Sequence, residues 1–456
     1  MARTVVQGDG GFTYNKTDVE GHLVIGRHDD CHETLAWLDI DGDGMVDFIG
    51  IESAGGNRED DDHELVAVNG ATGAVMWRAL NGEMSDTLAL CDGVLVCATD
   101  DRTKVRGLDP RTGQQLWCIT PPDRVSDDPF DGVDNARSIT SRGPFALFEC
   151  KDDTLHVVEA KTGRVVFWRP GKLEWHALDL PGLVCVTYDD EGGDSRFDLF
   201  DLFRNRCVYS DRLVSRPAFA QGPGVLAVIH GSYRPSGGVG TKLIVLDPMS
   251  YDVRHQTWIE WLDADGDPRM LPIQTFPCDR KSAAVIPGNR VVVGEREEGR
   301  LFILPMGGGR PLGVIPPPQQ GFAFRGLAVA SNVLVAAYMK KEGTKKIILV
   351  GYDMSTLQGL WWIPEGLGGT STDNVMLANW TTILVPSARR DDRQYKPNNP
   401  TAIWHVDPAT GQKVTEYPVP QLECISLEGK WLCAFVTTYY HGHPLAYDLE
   451  RRERVL

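Results

Sequence analysis

The stretch VRGLDPRTGQQLW (105–117) decides the fold. An apolar run meets an aspartate, reverses at Thr112-Gly113 and returns as a second run that carries a tryptophan near its end. Gly113 supplies a residue able to take φ > 0, which the tight reversal between two antiparallel strands requires. Three further stretches share the outline: ELVAVNGATGAVMW (64–77), LHVVEAKTGRVVFW (155–168) and IWHVDPATGQKVTEY (403–417). Looser copies are LFDLFRNRCVY (199–209), LIVLDPMSYDVRHQTW (243–258), LFILPMGGGRPLGVI (301–315), ILVGYDMSTLQGLWW (348–362) and LAYDLERRERVL (445–456).

Each hairpin follows another β-rich pair, as in TLALCDGVLVCATD (87–100), WHALDLPGLVCVTYDD (175–190), LAVASNVLVAAY (327–338) and ECISLEGKWLCAFV (423–436). In each of these pairs an apolar run meets a Gly, Asp or Asn turn and then a second apolar run, which reads as two strands. Four strands therefore recur along the chain, and nine such units can be counted. A lone four-stranded sheet cannot bury two apolar faces, whereas several arranged radially bury each face against the next. The expected fold is all-β: a single β-propeller of four-stranded antiparallel blades over residues 34–456, with nine repeat units and eight blades as the alternative. Residues 1–33 hold one apolar stretch, HLVIGR (22–27), which is expected to add a strand or a cap.

The form [LV]-D-x-x-T-G-x-x-x-W, carried best by residues 108–117 and with Asn69 in the aspartate place at 68–77, resembles the PQQ-like (quinoprotein-type) β-propeller repeat with its tryptophan-docking turn. Trp77, Trp117, Trp168 and Trp361 match the docking tryptophan of that repeat. The resemblance runs from about residue 34 to the end, strongest in the first three units and the eighth. It implies seven or eight blades, against the nine units counted. It also implies, as an alternative function, a PQQ-dependent quinoprotein dehydrogenase or another small-ligand-binding propeller. PQQ is placed second because the vicinal Cys-Cys pair of the larger quinoproteins is missing and no export signal is visible.

Composition narrows the classes further. Of 456 residues, 42% are hydrophobic and 24% charged, enough for a core and without an apolar run that spans a bilayer. A formal charge of −17 argues against nucleic acid and anionic membranes, which need a basic surface. The ten cysteines stand singly in apolar segments with no CxxC, as expected of reduced, buried thiols. Together with the N-terminus, which lacks an apolar leader segment, this places the expected location in the cytoplasm.

The stretch DIDGDGMVDFIG (39–50) sets Asp39, Asp41, Asp43 and Asp47 at positions 1, 3, 5 and 9 of a loop whose sixth residue is Gly44. Calcium takes six to eight hard oxygen ligands, and four carboxylates plus the Met45 carbonyl fit that demand. Gly50 stands where an EF-hand has its glutamate, so that motif is disfavoured. The loop is similar to the calcium loops of FG-GAP and integrin-type propeller repeats, which implies Asp39, Asp41, Asp43 and Asp47 as side-chain ligands and Met45 as a backbone ligand to a structural Ca2+. A turn satisfied by its own backbone amides is the alternative. A second acidic stretch, WLDADGDPRML (261–271), has Pro268 in place of the glycine and Leu271 in place of the ninth-position acid, and reads as a turn.

In a propeller blade the A–B and C–D turns share one end, while the B–C turns and D–A connections share the other. The C–D turns are short, such as NGATG, DPRTG and EAKTG. Insertions fall at the other end: SAGGNREDDDH (53–63), HGSYRPSGGVGT (230–241), SARRDDRQYKPNNPT (387–401), TTYYHGHP (437–444) and PPDRVSDDPFDGVDNARS (121–138). One-sided elaboration marks a binding side. Arg389, Arg390 and Tyr395, and Tyr439, Tyr440, His441 and His443, have the composition of interface anchors there. The expected function is a non-enzymatic platform that binds a protein or peptide partner.

Overall fold

A computed structural model describes residues 25–26, 36–53, 63–80, 88–99, 102–123, 125, 139–151, 154–170, 172–173, 180–189, 195–262, 268–272, 282–295, 298–341, 346–368, 377–378, 381–387, 402–419, 422–428, 431–438, 441–450 and 453–454. Their regular structure is all strand, with no helix among the described residues. Consecutive strands build nine antiparallel sheets, and a two-stranded hairpin pairs Trp261–Leu262 with Pro268–Arg269. The nine sheets correspond to the nine repeats. The first, for example, runs Ala36–Leu38, Asp47–Ser53, His63–Val68 and Val75–Ala79, and the second Leu88–Cys91, Val94–Ala98, Val105–Leu108 and Gln115–Ile119.

Packing divides the chain into two compact units. One comprises Met1–Leu173, Leu180–Gly182 and Val419–Leu456, and holds the first, second, third and ninth sheets. The other comprises Glu174–Asp179 and Leu183–Pro418, and holds the last three strands of the fourth sheet and all of the fifth to eighth. In the first unit, Ile25–Gly26 pairs with Gly442 and His441 on the strand His441–Asp448 of the ninth sheet, while Glu453–Arg454 pairs with Asp448 and Tyr447 on the same strand.

Burial grades across each sheet, and composition explains the gradient. The second strands VLVCA (Val94–Ala98) and FALFE (Phe145–Glu149) are buried at every position, as continuous apolar runs are when both faces are covered. The fourth strand Gln115–Ile119 alternates between exposed and half-buried, as an outer strand does. Within each unit, consecutive sheets pack face to face. Ile49 and Leu65 of the first meet Leu95 and Leu108 of the second. Val96 and Val105 meet Ala146 and Phe148 of the third. The fifth to eighth sheets continue the pattern through Ile229 and Phe302, Val292 and Tyr338, and Val335 and Val385.

A β-bulge recurs just before the C–D turn, at Ala67/Val68, Gly107/Leu108, Val157/Val158, Leu199/Phe200, Val245/Leu246, Gly351/Tyr352 and His405/Val406. The extra residue fixes which face each side chain of the last strand takes. Eight residues after the acidic turn residue, the side chain points at the following sheet. Trp77 there donates Nε1–H to Pro110 O at 2.9 Å, Trp117 to Ala160 O at 2.6 Å and Trp361 to Pro408 O at 2.9 Å. The indoles lie on the turn glycines: a Cβ on Gly113 would fall 2.6 Å from the Trp77 ring, and one on Gly163 2.6 Å from Trp117. Those glycines also hold φ of 71° and 68°, so the T-G step serves both the turn and the indole.

Other junctions reach a carbonyl of the same turn with a different donor. His255 reaches Met306 O through Nε2 at 2.7 Å, which places the ring proton on that nitrogen because a carbonyl only accepts. Arg204 and Arg206 donate to Ser250 O at 3.2 and 2.8 Å, and Arg290 to Ser355 O at 2.8 Å.

Trp168 departs from its expected docking role. Phe167, not Trp168, stands opposite Val157 at the docking position, and Trp168 is opposite His156, 63% exposed. A shift of one residue turns a strand side chain to the other face. Small residues make room for the docked indoles: Ala67 faces Trp77, Gly107 faces Trp117 and Gly351 faces Trp361. Val157 offers no such space.

Two expected insertions are also largely strand. Tyr233 pairs with Val239 across a turn of residues 234–238, so residues 230–241 form most of a long hairpin. Thr438 pairs with His441 and Val436 with His443, leaving two residues between strands. Gly and Ser in these stretches suggest loops by composition, yet a regular ladder satisfies their backbone groups just as well. Cys118 and Cys207 are exposed, because both lie on outer strands.

Candidate functional site

The aspartate loop joins the first two strands of the first sheet, Ala36–Leu38 and Asp47–Ser53. Gly42 and Gly44 take φ of 81° and 82°, which winds the chain tightly enough for its carboxylates to turn back on their own amides. Asp39 accepts from Gly42 N–H at 2.7 Å through Oδ1 and from Gly44 N–H at 2.9 Å through Oδ2. Asp41 Oδ1 accepts from Asp43 N–H at 3.1 Å, and Asp43 Oδ1 from Met45 N–H at 2.7 Å. One oxygen from each of Asp39, Asp41 and Asp43 lies within 4.8 Å of the other two, on an exposed surface.

Asp47 stands apart from that convergence. It is fully buried, with Oδ2 accepting from Ile40 N–H and Oδ1 from Gly70 N–H, both at 2.7 Å. Burial raises its carboxyl pKa above the usual range, against the lowering pull of those two amides. Asn69 Nδ2 donates to Asp41 Oδ2 at 2.7 Å, so Asp41 and Asp47 both tie this loop to the C–D turn of the same sheet. Gly70 is needed for the approach, since a Cβ there would sit 1.9 Å from the Val46 carbonyl oxygen.

Chemically, three converging carboxylates suit a hard cation, and an oxygen that accepts one amide keeps lone pairs for a metal. Asp39, Asp41 and Asp43 are the residues that could hold a calcium ion. Asp47 fits a fastening role better than a ligand role, because both of its oxygens are held by amides in a buried place.

Arg389, Arg390, Tyr395, Tyr439 and Tyr440 lie outside the described residues. His441 and His443 belong to the strand His441–Asp448 rather than to a loop.

Sequence reading missed a polar cluster between the fourth and fifth sheets. Asp211 Oδ2 accepts from Tyr209 Oη–H at 2.6 Å and from Lys242 Nζ at 2.7 Å, with His230 Nε2 3.7 Å away. Lys242 Nζ also lies 5.4 and 5.6 Å from the ring centres of Tyr209 and Trp258. Burial drives the fully buried His230 down to about 4 and raises Tyr209, while Lys242 and Tyr209 hold Asp211 low despite its own burial. These residues follow no spacing rule, because strand pairing and sheet stacking bring them together across 31 positions.

Residues 57–170 match a PQQ-like repeat family described as outer membrane protein assembly factor BamB. No curated protein matches the chain. Solved structures similar to it include the computationally designed Ika8 protein, at 14% identity and TM-score 0.45, covering 79% of this chain and 95% of that one. BamB from Moraxella catarrhalis is similar at 13% identity and TM-score 0.40, covering 90% and 96%. The quinohemoprotein alcohol dehydrogenase of Comamonas testosteroni is similar at 12% and 0.40, covering 80% and 75%. Likenesses this distant say nothing about activity. Residues 57–170 therefore carry PQQ-like repeats. No helix among its described residues is long and apolar enough to cross a membrane.

Proposed function

We propose that this protein is a non-enzymatic interaction platform, holding a protein or peptide partner at the B–C and D–A end of its sheets. One observation carries the reading: the two ends of the sheets are built to different rules. C–D turns are short and each of several is clasped by a side chain of the preceding sheet, which limits their freedom to vary. The opposite connections differ in length and chemistry, with 54–62 joining Ser53 to His63 and 388–401 joining Ser387 to Ala402. Arg389, Arg390 and Tyr395 lie in the longer of these and are the expected anchors.

The test captures the partner from the protein's native cells, then repeats the capture with Arg389→Glu, Arg390→Glu and Tyr395→Ala combined. Loss of that partner, together with retention by a C–D turn variant such as Arg111→Ala, supports the reading. Retention by the triple variant sinks it.

The same proposal includes a structural calcium ion in the aspartate loop, supported by the convergence of Asp39, Asp41 and Asp43. Bound only by the folded state, it would stabilise by about 2.7 kcal/mol at a hundredfold excess over Kd. Millimolar Ca2+ is expected to raise the melting temperature of the wild type but not of Asp41→Ala. An unchanged wild-type melt removes the metal from the proposal.

A further inference from the structure

Trp168 stands one residue past the docking position, opposite His156, and that place points to a use. The third sheet sets Phe148, His156 and Trp168 directly opposite one another on three adjacent strands, so they form one row on one face. Phe148 and His156 stack with ring centres 5.5 Å apart and planes 9° from parallel. The row begins fully buried at Phe148 and ends 63% exposed at Trp168. Facing it, Ile119 and the Pro121-Pro122 step leave the last strand of the second sheet. Between the row and this wall is a cavity of about 460 Å³, with Val165 at its edge.

The chemistry of the lining is restrictive. No Asp, Glu, Lys or Arg side chain lines the cavity among the described residues, and its polar groups are uncharged. Thr154 Oγ1 and His156 Nε2 lie 3.0 Å apart and engage each other. At the same place in other repeats stand Arg78, Ser210, Gln256 and Glu416, with Trp362 in the seventh sheet. A single exposed aromatic is ordinary on a protein surface, so it is the stacked row and the cavity beside Trp168 that set this one apart.

We infer that this slot between the second and third sheets is a binding site for a small, uncharged aromatic molecule, stacked on the Phe148–His156–Trp168 row against the proline wall. The volume is in the range of small-molecule sites, and the walls are apolar with few polar groups. Flat rings are favoured because aromatic pairs gain from offset or edge contact beyond the area they bury. A charged ligand is disfavoured because nothing in the lining compensates its desolvation. The site lies at the B–C and D–A end but does not depend on the partner-binding proposal, since its ligand is a free small molecule.

N-phenyl-1-naphthylamine, an uncharged ring compound that fluoresces when it leaves water, is the probe. The full chain is expected to bind it saturably at one site. Trp168→Ala, at an exposed position, and Val165→Lys, which brings a cation to the slot, should each weaken binding at least tenfold while melting like the wild type. Leu312→Ser, which removes an exposed apolar side chain of the other unit, should leave binding unchanged. Absence of saturable fluorescence, or equal affinity in wild type, Trp168→Ala and Val165→Lys, overturns the assignment. Failure of partner capture would leave this result standing, so the two proposals can fail separately.

Discussion

The junctions between sheets fall into two kinds that share an acceptor turn and differ in the donor that reaches it. From first to second, second to third and seventh to eighth sheet, an indole lies flat on a turn glycine and donates to a turn carbonyl. From fourth to fifth, fifth to sixth and sixth to seventh, arginine or histidine reaches the equivalent turn instead. The indoles take the carbonyl one residue past the acid and the arginines one two or three residues past it, and the donor can vary because any well-placed N–H will satisfy a turn carbonyl. What differs is how each junction is stabilised. An indole contributes apolar contact and one hydrogen bond, while an exposed guanidinium contributes mainly the bond.

The largest expected effect tests the indole side. Trp117→Ala should cost about 3 kcal/mol in urea unfolding, since it empties the space over Gly163 and orphans Ala160 O. Trp117→Phe should recover much of that. A cost below about 1 kcal/mol for the alanine variant would erase the distinction.

Acidification tests the polar side. Burial depresses His230 to about 4 against an unfolded value near 6.5, so the unfolded chain binds more protons between those limits. The stabilisation tied to the neutral ring is complete above about pH 6.5 and is lost as pH falls through 4. The total approaches about 3 kcal/mol at 1.36 kcal/mol per pH unit. The charges facing His230 modify the limits: Asp211 favours its protonation and Lys242 opposes it. His230→Phe keeps the ring packed edge-on to Phe197 and should flatten the decline in urea midpoints between pH 7 and 4. An unaltered slope would dissociate this junction from the pH response.

Arg290→Met should cost only about 0.5–1 kcal/mol, because its bond to Ser355 O is exposed. A cost as large as that of Trp117→Ala would show that the bond, and not the indole's contact, holds the junctions. The smallest effect is on reactivity. Burial raises the thiols of Cys91 and Cys97 to about 12, so neither should react with a disulfide reagent in the folded protein. Peptide mapping should find exposed Cys118 and Cys207 modified first.

How much was legible follows the same division. The four-strand units could be read wherever an acid, a T-G step and a tryptophan coincide, because each of those residues answers a local backbone demand. The polar junctions share none of those letters: Tyr251 and Leu357 take φ of 58° and 60° where the motif has glycine, and the donors read as ordinary surface residues. Trp168 misled because an aromatic near a strand end was taken as the docking residue, whereas the count of eight from Glu159 selects Phe167. In the aspartate loop the spacing puts Asp39, Asp41 and Asp43 on one tight turn, where an oxygen of each converges. It could not show that Asp47 is held by Gly70, 23 residues away.

The ninth sheet has a kinetic consequence. Ile25 pairs with Gly442, so that ladder joins residues more than four hundred positions apart. Contacts of such sequence separation require closing a very long loop before any gain, and proteins dominated by them fold slowly. A ribosome releasing this chain must therefore expose residues 25 and 26 long before their partner strand exists. That edge should be the last to acquire protection from hydrogen exchange during refolding.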